Sequence, residues 1–222
     1  GIELNKDAAE IARSELDDVV VGNIEDIDIP YNESSFDCVI FADVLEHLVD
    51  PLSALKKTNK VLKNDGSIVM SIPNVQFYGV VHQLVEGNWT YQKEGILDET
   101  HLRFFTLKEI EKLIEDAGLY VKRIEETLDP KYNDLQSNNH NSIKLGRLSI
   151  NDLTAEEIRR FFVFQYKIIA GKVTSKNQIE SLNEINIDNI MSGALSDYET
   201  GEYRTALSKY EKVLNTNPEY AE

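Results

Sequence analysis

Residues able to do chemistry gather in a few short stretches of this 222-residue chain. In "FDCVIFADVLEHLVDP" (36–51) an apolar run breaks into Asp43, Glu46 and His47, and in "DETHLRFF" (98–105) stand His101 and Arg103. An imidazole titrates near neutral pH, which makes His47 the first candidate for a general base and His101 the second. The opening "GIELNK" ends an apolar segment in Glu3, and a carboxylate at the end of a strand can accept hydrogen bonds from two neighbouring hydroxyls, as nucleotide-binding α/β folds do with a ribose. "GNIEDIDIP" (22–30) offers Asn23, Ile24 and Glu25 in a similar position. No pair of His, Asp or Glu shows a metal-ligand spacing. The single Cys38 removes a disulfide framework or a cysteine-rich metal site.

These residues need a scaffold, and the pattern around them supplies one. Asn5 can cap a helix running through Ala8, Ala9, Ile11, Ala12 and Leu16. "DDVVVGN" (17–23) is a short β-branched run. Residues 36–44 form a near-continuous apolar run, the mark of a strand buried on both faces, with Cys38 in the core. "PLSALKKTNKVLKNDG" has Pro51 suited to a first turn, Leu52, Leu55 and Leu62 at helical spacing, and Gly66 as a stop. "SIVMSIPN" (67–74) is the next strand. "TLKEIEKLIEDAGL" is a helix capped by Thr106 and ended by Gly118, followed by a strand over 120–126. Residues 128–149 read as a long surface loop, "LTAEEIRR" as a short capped helix, and "FFVFQYKIIAGK" (161–172) as a strand able to pair antiparallel with 120–126. Alternating strands and helices predict a largely parallel sheet. Glu3, Asn23 to Glu25, and Ala42 to His47 then fall at the carboxyl ends of three strands, where such sheets bind ligands.

On these motifs the chain resembles the class I S-adenosylmethionine-dependent methyltransferases, in the group that includes the ubiquinone-biosynthesis-type O-methyltransferases. "FDCVIFADVLEHLVDP" is similar to that family's fourth strand and its exit, "LKNDGSIVMSIPN" to its fifth strand, and "HLRFFTLKEIEKLIEDAGL" to the segment before its sixth. The resemblance covers residues 1–172. It implies a Rossmann-like, mostly parallel sheet whose antiparallel last strand inserts between the fifth and sixth. It implies that Glu3 holds the ribose of S-adenosylmethionine, that Leu4 and Ile24 cover the adenine, and that Asn23 takes the place of the usual Asp at the adenine amino group. Ala42 and Asp43 would lie along the methionine part and His47 near the methyl donor. Phe77, Trp89 and Tyr91 would form an aromatic lid over the acceptor, with Arg103 close by. The acceptor class is a small molecule or a glycan-like compound, methylated on oxygen.

The family's glycine-rich turn should stand about 20 residues before Glu3, so the expectation is an N-terminally truncated sheet within a longer protein. Residues 173–184 read as a linker. Residues 185–222, with "YETGEYRTALSKYEKVLNTNPEYAE", resemble one tetratricopeptide-like helical hairpin, a surface for a protein partner. That opens a second reading, a non-catalytic binding module in which the α/β domain is degenerate. A dinucleotide oxidoreductase shares the acid after its second strand but not the inserted last strand. The formal net charge of −16 argues against nucleic acid, whose affinity rests on Lys and Arg. No apolar run approaches a membrane span, and the reading places the protein in the cytoplasm. Plain structural roles compete at each site: Glu3 as a solvated acid, Asp43 and Glu46 as helix N-terminal charges, His47 and His101 as hydrogen-bonding histidines, and Trp89 and Tyr91 as packing.

Overall fold

The computed structural model describes residues 1–132 and 141–174. Expectations for 133–140 and for nearly all of the linker and helical hairpin lie outside the described residues. Residues Gly1–Lys172 form one compact unit. Its elements in order are β1 (Ile2–Glu3), α1 (Lys6–Ala12), β2 (Val20–Val21), β3 (Phe36–Ala42), a 3₁₀ turn (Leu45–His47), α2 (Pro51–Val61), β4 (Leu62–Pro73), α3 (Tyr78–Val85), α4 (Leu107–Asp116), β5 (Leu119–Leu128), β6 (Ile143–Leu145), β7 (Leu148–Ile150), α5 (Ala155–Arg160) and β8 (Val163–Lys172).

The main sheet has the order β3-β4-β8-β5. β3 and β4 are parallel, while β8 runs antiparallel to both β4 and β5. The late strand therefore inserts between its two predecessors, as the resemblance implies. β1 and β2 form a separate parallel pair, and among the described residues no single seven-stranded sheet is present. Alternation fixes the faces: Ile68, Met70 and Ile72 of β4 and Tyr166, Ile168 and Ala170 of β8 are buried together with Leu55 of α2 and with Ile110 and Ile114 of α4. Burying an Ile, Leu or Met of this kind contributes about 1.5–3 kcal/mol.

Local signals act as physical chemistry requires, with some departures. Asn5 caps α1 through hydrogen bonds from the backbone N–H of Asp7 and Ala8, but α1 ends at Ala12 and leaves Leu16 in a turn. Asp50 caps α2 by accepting from Ser53 N–H at 3.0 Å. Thr154 and Glu157 form a reciprocal capping box on α5. Thr106 holds the N-cap position of α4 without a side-chain cap bond, and Gly118, at φ +74°, takes the left-handed conformation that ends it. Leu62 opens β4 instead of closing α2, so the strand begins earlier than residue 67. The stretch read as an unstructured loop, 128–149, carries the last residue of β5 and most of a β6–β7 hairpin, which turns through Gly146 at φ +59°. Helix α3 was not expected. Strand β3 is not buried on both faces: only Phe41 is fully buried, Ile40 is exposed, and Cys38 is exposed rather than in the core. An apolar run shows what a strand can bury, and among the described residues no strand pairs with the second edge of β3.

Candidate active site

A cavity of about 890 Å³ lies between the β1–β2 pair and β3, running along β3 from Phe36 to Phe41 and reaching the strand exits at Glu3, Asn23 and Asp43. It brings together Glu3, Leu4, Asn23, Ile24, Glu25, Asp43 and His47, seven of the residues singled out from sequence. Ala42, Phe77, Trp89, Tyr91, His101 and Arg103 are not among its lining residues. Glu3 is held in place because its Oε1 accepts from Asn5 N–H at 2.8 Å. Leu4 is left largely exposed at the rim. The Asn23 side chain turns on its own loop, its Oδ1 accepting from Glu25 N–H at 3.0 Å. Glu25 is a fastener: its Oε1 accepts from Asp50 N–H at 2.6 Å and ties the loop to the start of α2. Lys57 completes the attachment by donating to the carbonyls of Ile24, Glu25 and Ile27 at 3.1, 2.6 and 3.1 Å.

The exit of β3 is the most constrained part. Asp43 sits at φ +50°, a left-handed conformation that a short polar residue tolerates better than most. Its N–H donates to Ser71 Oγ at 3.0 Å. Its Oδ1 accepts from Ser71 Oγ at 3.1 Å and from Gln165 Nε2 at 2.5 Å. β4 and β8 thus each send one side chain to hold this turn, and neither Ser71 nor Gln165 stood out in the sequence.

The following 3₁₀ turn buries Glu46. Glu46 is 1% exposed, and neither carboxylate oxygen has a hydrogen-bond partner among the described residues. Burial, reinforced by the nearby charge of Asp43, pushes its carboxyl up to about 7. Glu46 is therefore not a solvated helix charge, the plain role the sequence allowed. Its carbonyl also accepts from the N–H groups of Leu102 and Arg103, at 2.8 and 3.0 Å, which pins the 98–105 stretch against the turn. Arg103 donates to the carbonyl of Val49, which makes it part of the same fastening.

The pinning stacks the two histidines. The His47 and His101 rings lie edge to face with centroids 4.7 Å apart. His101 Nδ1 is 2.9 Å from the carbonyl oxygen of Ile96, and His47 Nδ1 is 3.2 Å from that of Thr100. A carbonyl only accepts, so each Nδ1 carries a proton, and in the neutral imidazole Nε2 is the lone-pair nitrogen. Thr100 also donates its hydroxyl to Asp98 at 2.5 Å and accepts from His47 Nδ1. Hydrogen bonds from Thr100 hold the Asp98 carboxyl below its ordinary range. Beyond His101 the rings continue: Phe104 lies 6.4 Å from His101, and Trp89 and Tyr91 lie 5.3 and 6.3 Å from Phe104. Trp89 and Tyr91 therefore neighbour the histidine pair through Phe104, a residue that drew no notice in the sequence. Phe77 packs on Tyr78 and Phe164 instead.

The class defined by this geometry is an open-sheet α/β protein with a ligand crevice at the strand ends and an imidazole at its edge. A family model described as a methyltransferase domain matches residues 1–124, more than half of the chain, and the chain belongs to that family. An uncharacterised protein of Methanocaldococcus jannaschii is 27% identical over an alignment of 138 residues that covers 54% of this chain and 54% of that protein. An uncharacterised 37.1 kDa protein of a Streptomyces fradiae transposon is 26% identical over 127 residues, 56% of this chain and 36% of that protein. The chain thus spans about half, or less, of the length of these curated relatives. Among solved structures, a Thermotoga maritima protein described as a SAM-dependent methyltransferase, possible histamine N-methyltransferase, superposes with a TM-score of 0.51 at 19% identity, over 78% of this chain and 72% of that one. A Methanosarcina mazei SAM-dependent methyltransferase gives 0.50 at 15% identity, over 79% and 82%. Both likenesses concern the fold. Among the described residues no helix is long and apolar enough to cross a membrane.

Proposed function

We propose that this chain belongs to an S-adenosylmethionine-dependent methyltransferase that methylates an oxygen of a small-molecule or glycan-like acceptor. The observation that carries this reading is the cavity that gathers Glu3, Asn23, Ile24 and His47 from three strand ends. Its donor set suits the cofactor: a fixed carboxylate for a ribose diol, the apolar Leu4 and Ile24 for an adenine, an amide for its amino group, and the Asp43 carboxylate for an ammonium. When bound, S-adenosylmethionine supplies a sulfonium methyl that is already electrophilic.

The protein's own residues have the remaining work of alignment and proton removal. Asp43, held by Ser71 and Gln165, fixes the end of β3 against which the methionine part lies. His47, with Nδ1 committed to Thr100, offers Nε2 as the acceptor of the hydroxyl proton. Trp89, Tyr91 and Phe104 provide the aromatic surface on which the acceptor rests. Calorimetry with S-adenosylhomocysteine, on this chain and on a version extended upstream, tests the reading. Saturable binding by the extended protein, weakened by Glu3→Ala, is the expected result, and no binding by the extended protein overturns it.

A further inference from the structure

We infer that Glu46, His47 and His101 form a binding site for a divalent transition-metal ion of the zinc class, at the edge of the cavity. One donor atom from each of the three lies within 4.8 Å of the others, although His101 is 54 residues away from His47 in sequence. Ligands around a common ion at about 2.1 Å stand roughly 3–3.5 Å apart, so binding asks the donors to draw together by about 1–2 Å at most.

Two independent features point to an ion. The Glu46 carboxylate is almost wholly buried with both oxygens unpartnered, and a carboxylate in that position is costly unless a cation or donor meets it. The two imidazoles are oriented as metal-ligating imidazoles usually are. Each gives its Nδ1 proton to a backbone carbonyl, Ile96 for His101 and Thr100 for His47, and each leaves Nε2 as a free lone pair. Asp98 extends this behind His47, because it accepts the Thr100 hydroxyl. Two nitrogens and one carboxylate make a three-ligand set with open positions, suited to Zn²⁺, Fe²⁺, Co²⁺ or Ni²⁺ rather than to an oxygen-seeking ion such as Mg²⁺.

The inference rests on the methyltransferase reading for its consequence and alters one part of it. Of the three ligands His47 lines the cavity, so an ion on this cluster would sit at the cavity edge, beside the place that reading gives the acceptor. With the His47 lone pair on the metal, the acceptor hydroxyl takes an open coordination position and its proton leaves to solvent. The resulting oxygen anion forms the new O–C bond to the sulfonium methyl. The C–S bond breaks with its electron pair staying on sulfur, and S-adenosylhomocysteine is released.

The test is metal binding itself. The full chain, stripped with a chelator, is titrated with Co²⁺ under visible absorption and then with Zn²⁺ in competition, and S-adenosylhomocysteine affinity is measured in parallel. One Co²⁺ per chain, displaced by Zn²⁺, is the expected result. Its affinity should fall at least about 100-fold in His101→Gln and in Glu46→Gln, since loss of a supporting contact alone costs about 10- to 100-fold, while S-adenosylhomocysteine binding holds. His101→Gln retains an amide donor for Ile96, and unchanged far-ultraviolet dichroism certifies its fold. The exposed His82→Gln should bind Co²⁺ as the parent does. Absence of stoichiometric Co²⁺ or Zn²⁺ binding, or binding undiminished in both ligand variants, overturns the site. Lost S-adenosylhomocysteine binding with metal binding intact counts against the methyltransferase reading alone.

Discussion

Replacing Glu46 by Gln should make the metal-free protein progressively more stable relative to the parent as the pH rises from 4.5 to 8. The Glu46 carboxyl is raised from an ordinary 4.5 to about 7 by burial. Between those two values the folded chain holds a proton that the unfolded chain has released. Unfolding stability therefore falls as pH rises through this window, and the full cost is present above pH 7. At about 1.4 kcal/mol per pH unit the difference amounts to roughly 3 kcal/mol, an order-of-magnitude figure. Gln keeps the shape and removes the titration. It leaves buried amide atoms in need of partners, so its absolute effect at low pH has either sign, and the diagnostic quantity is the change with pH.

The assay is urea unfolding of parent and variant in chelator, from pH 4.5 to 8, followed by the fluorescence of the single tryptophan, Trp89, which reports on this domain alone. The stability of Glu46→Gln minus that of the parent should rise by about 2–3 kcal/mol across the window. Adding Zn²⁺ at pH 7.5 should stabilise the parent and not the variant, because a ligand that binds only the folded state stabilises it by mass action. A difference flat to within about 0.5 kcal/mol would refute the reasoning, since it would mean that something already compensates the carboxylate in the folded metal-free protein.

Asn23→Asp should tighten S-adenosylhomocysteine binding by roughly 5- to 10-fold, as charge assistance strengthens the hydrogen bond to an adenine amino group; calorimetry showing equal or weaker affinity would remove Asn23 from the adenine site. Trp89→Ala should raise KM for the acceptor about 2- to 10-fold with S-adenosylhomocysteine affinity unchanged, since a stacked aromatic pair contributes about 0.5–1.5 kcal/mol; equal losses for both ligands would make it a packing residue. Thr154→Ala should cost about 0.5–2 kcal/mol of stability by removing the α5 capping box without moving cofactor affinity, as judged by urea melts beside calorimetry.

What could be read from the sequence followed from how local each feature is. Asn5 and Gly118 act on their own few residues, so the start of α1 and the end of α4 were visible. The place of β8 came from the resemblance and from the strength of its apolar run. Cys38 was misjudged because burial of β3 depends on what lies against its outer edge, and periodicity does not contain that information. Helix α3 and the β6–β7 hairpin were missed since their apolar residues, Val80 or Ile143 and Leu145, are buried only by tertiary neighbours. At the site, residues at strand ends could be named because topology puts them there. The environment of Glu46 could not, because the 98–105 stretch that docks on its carbonyl and brings His101 near its carboxylate is distant in sequence, and nothing in "VLEHL" distinguishes a buried acid from a solvated one.

The costly features of the molecule fall on one five-residue exit, Asp43 to His47. Asp43 occupies a left-handed conformation and Glu46 buries an unpartnered acid, two features of the kind that persist only where surrounding structure over-determines them. The over-determination is traceable. Ser71 is paired with Lys167 in the β4–β8 register, and Gln165 is paired with Pro73. Both side chains leave the sheet on the face opposite the buried Tyr166, Ile168 and Ala170. The inserted antiparallel strand therefore has two jobs set by its alternation: one face closes the core against α2 and α4, and the other reaches across β4 to clamp Asp43. A parallel strand added at the sheet's outer edge would fill the core equally well but would be too far from the β3 exit to supply that clamp. On this view the insertion of β8 beside β4 is what lets a strained turn hold His47 at the cavity edge.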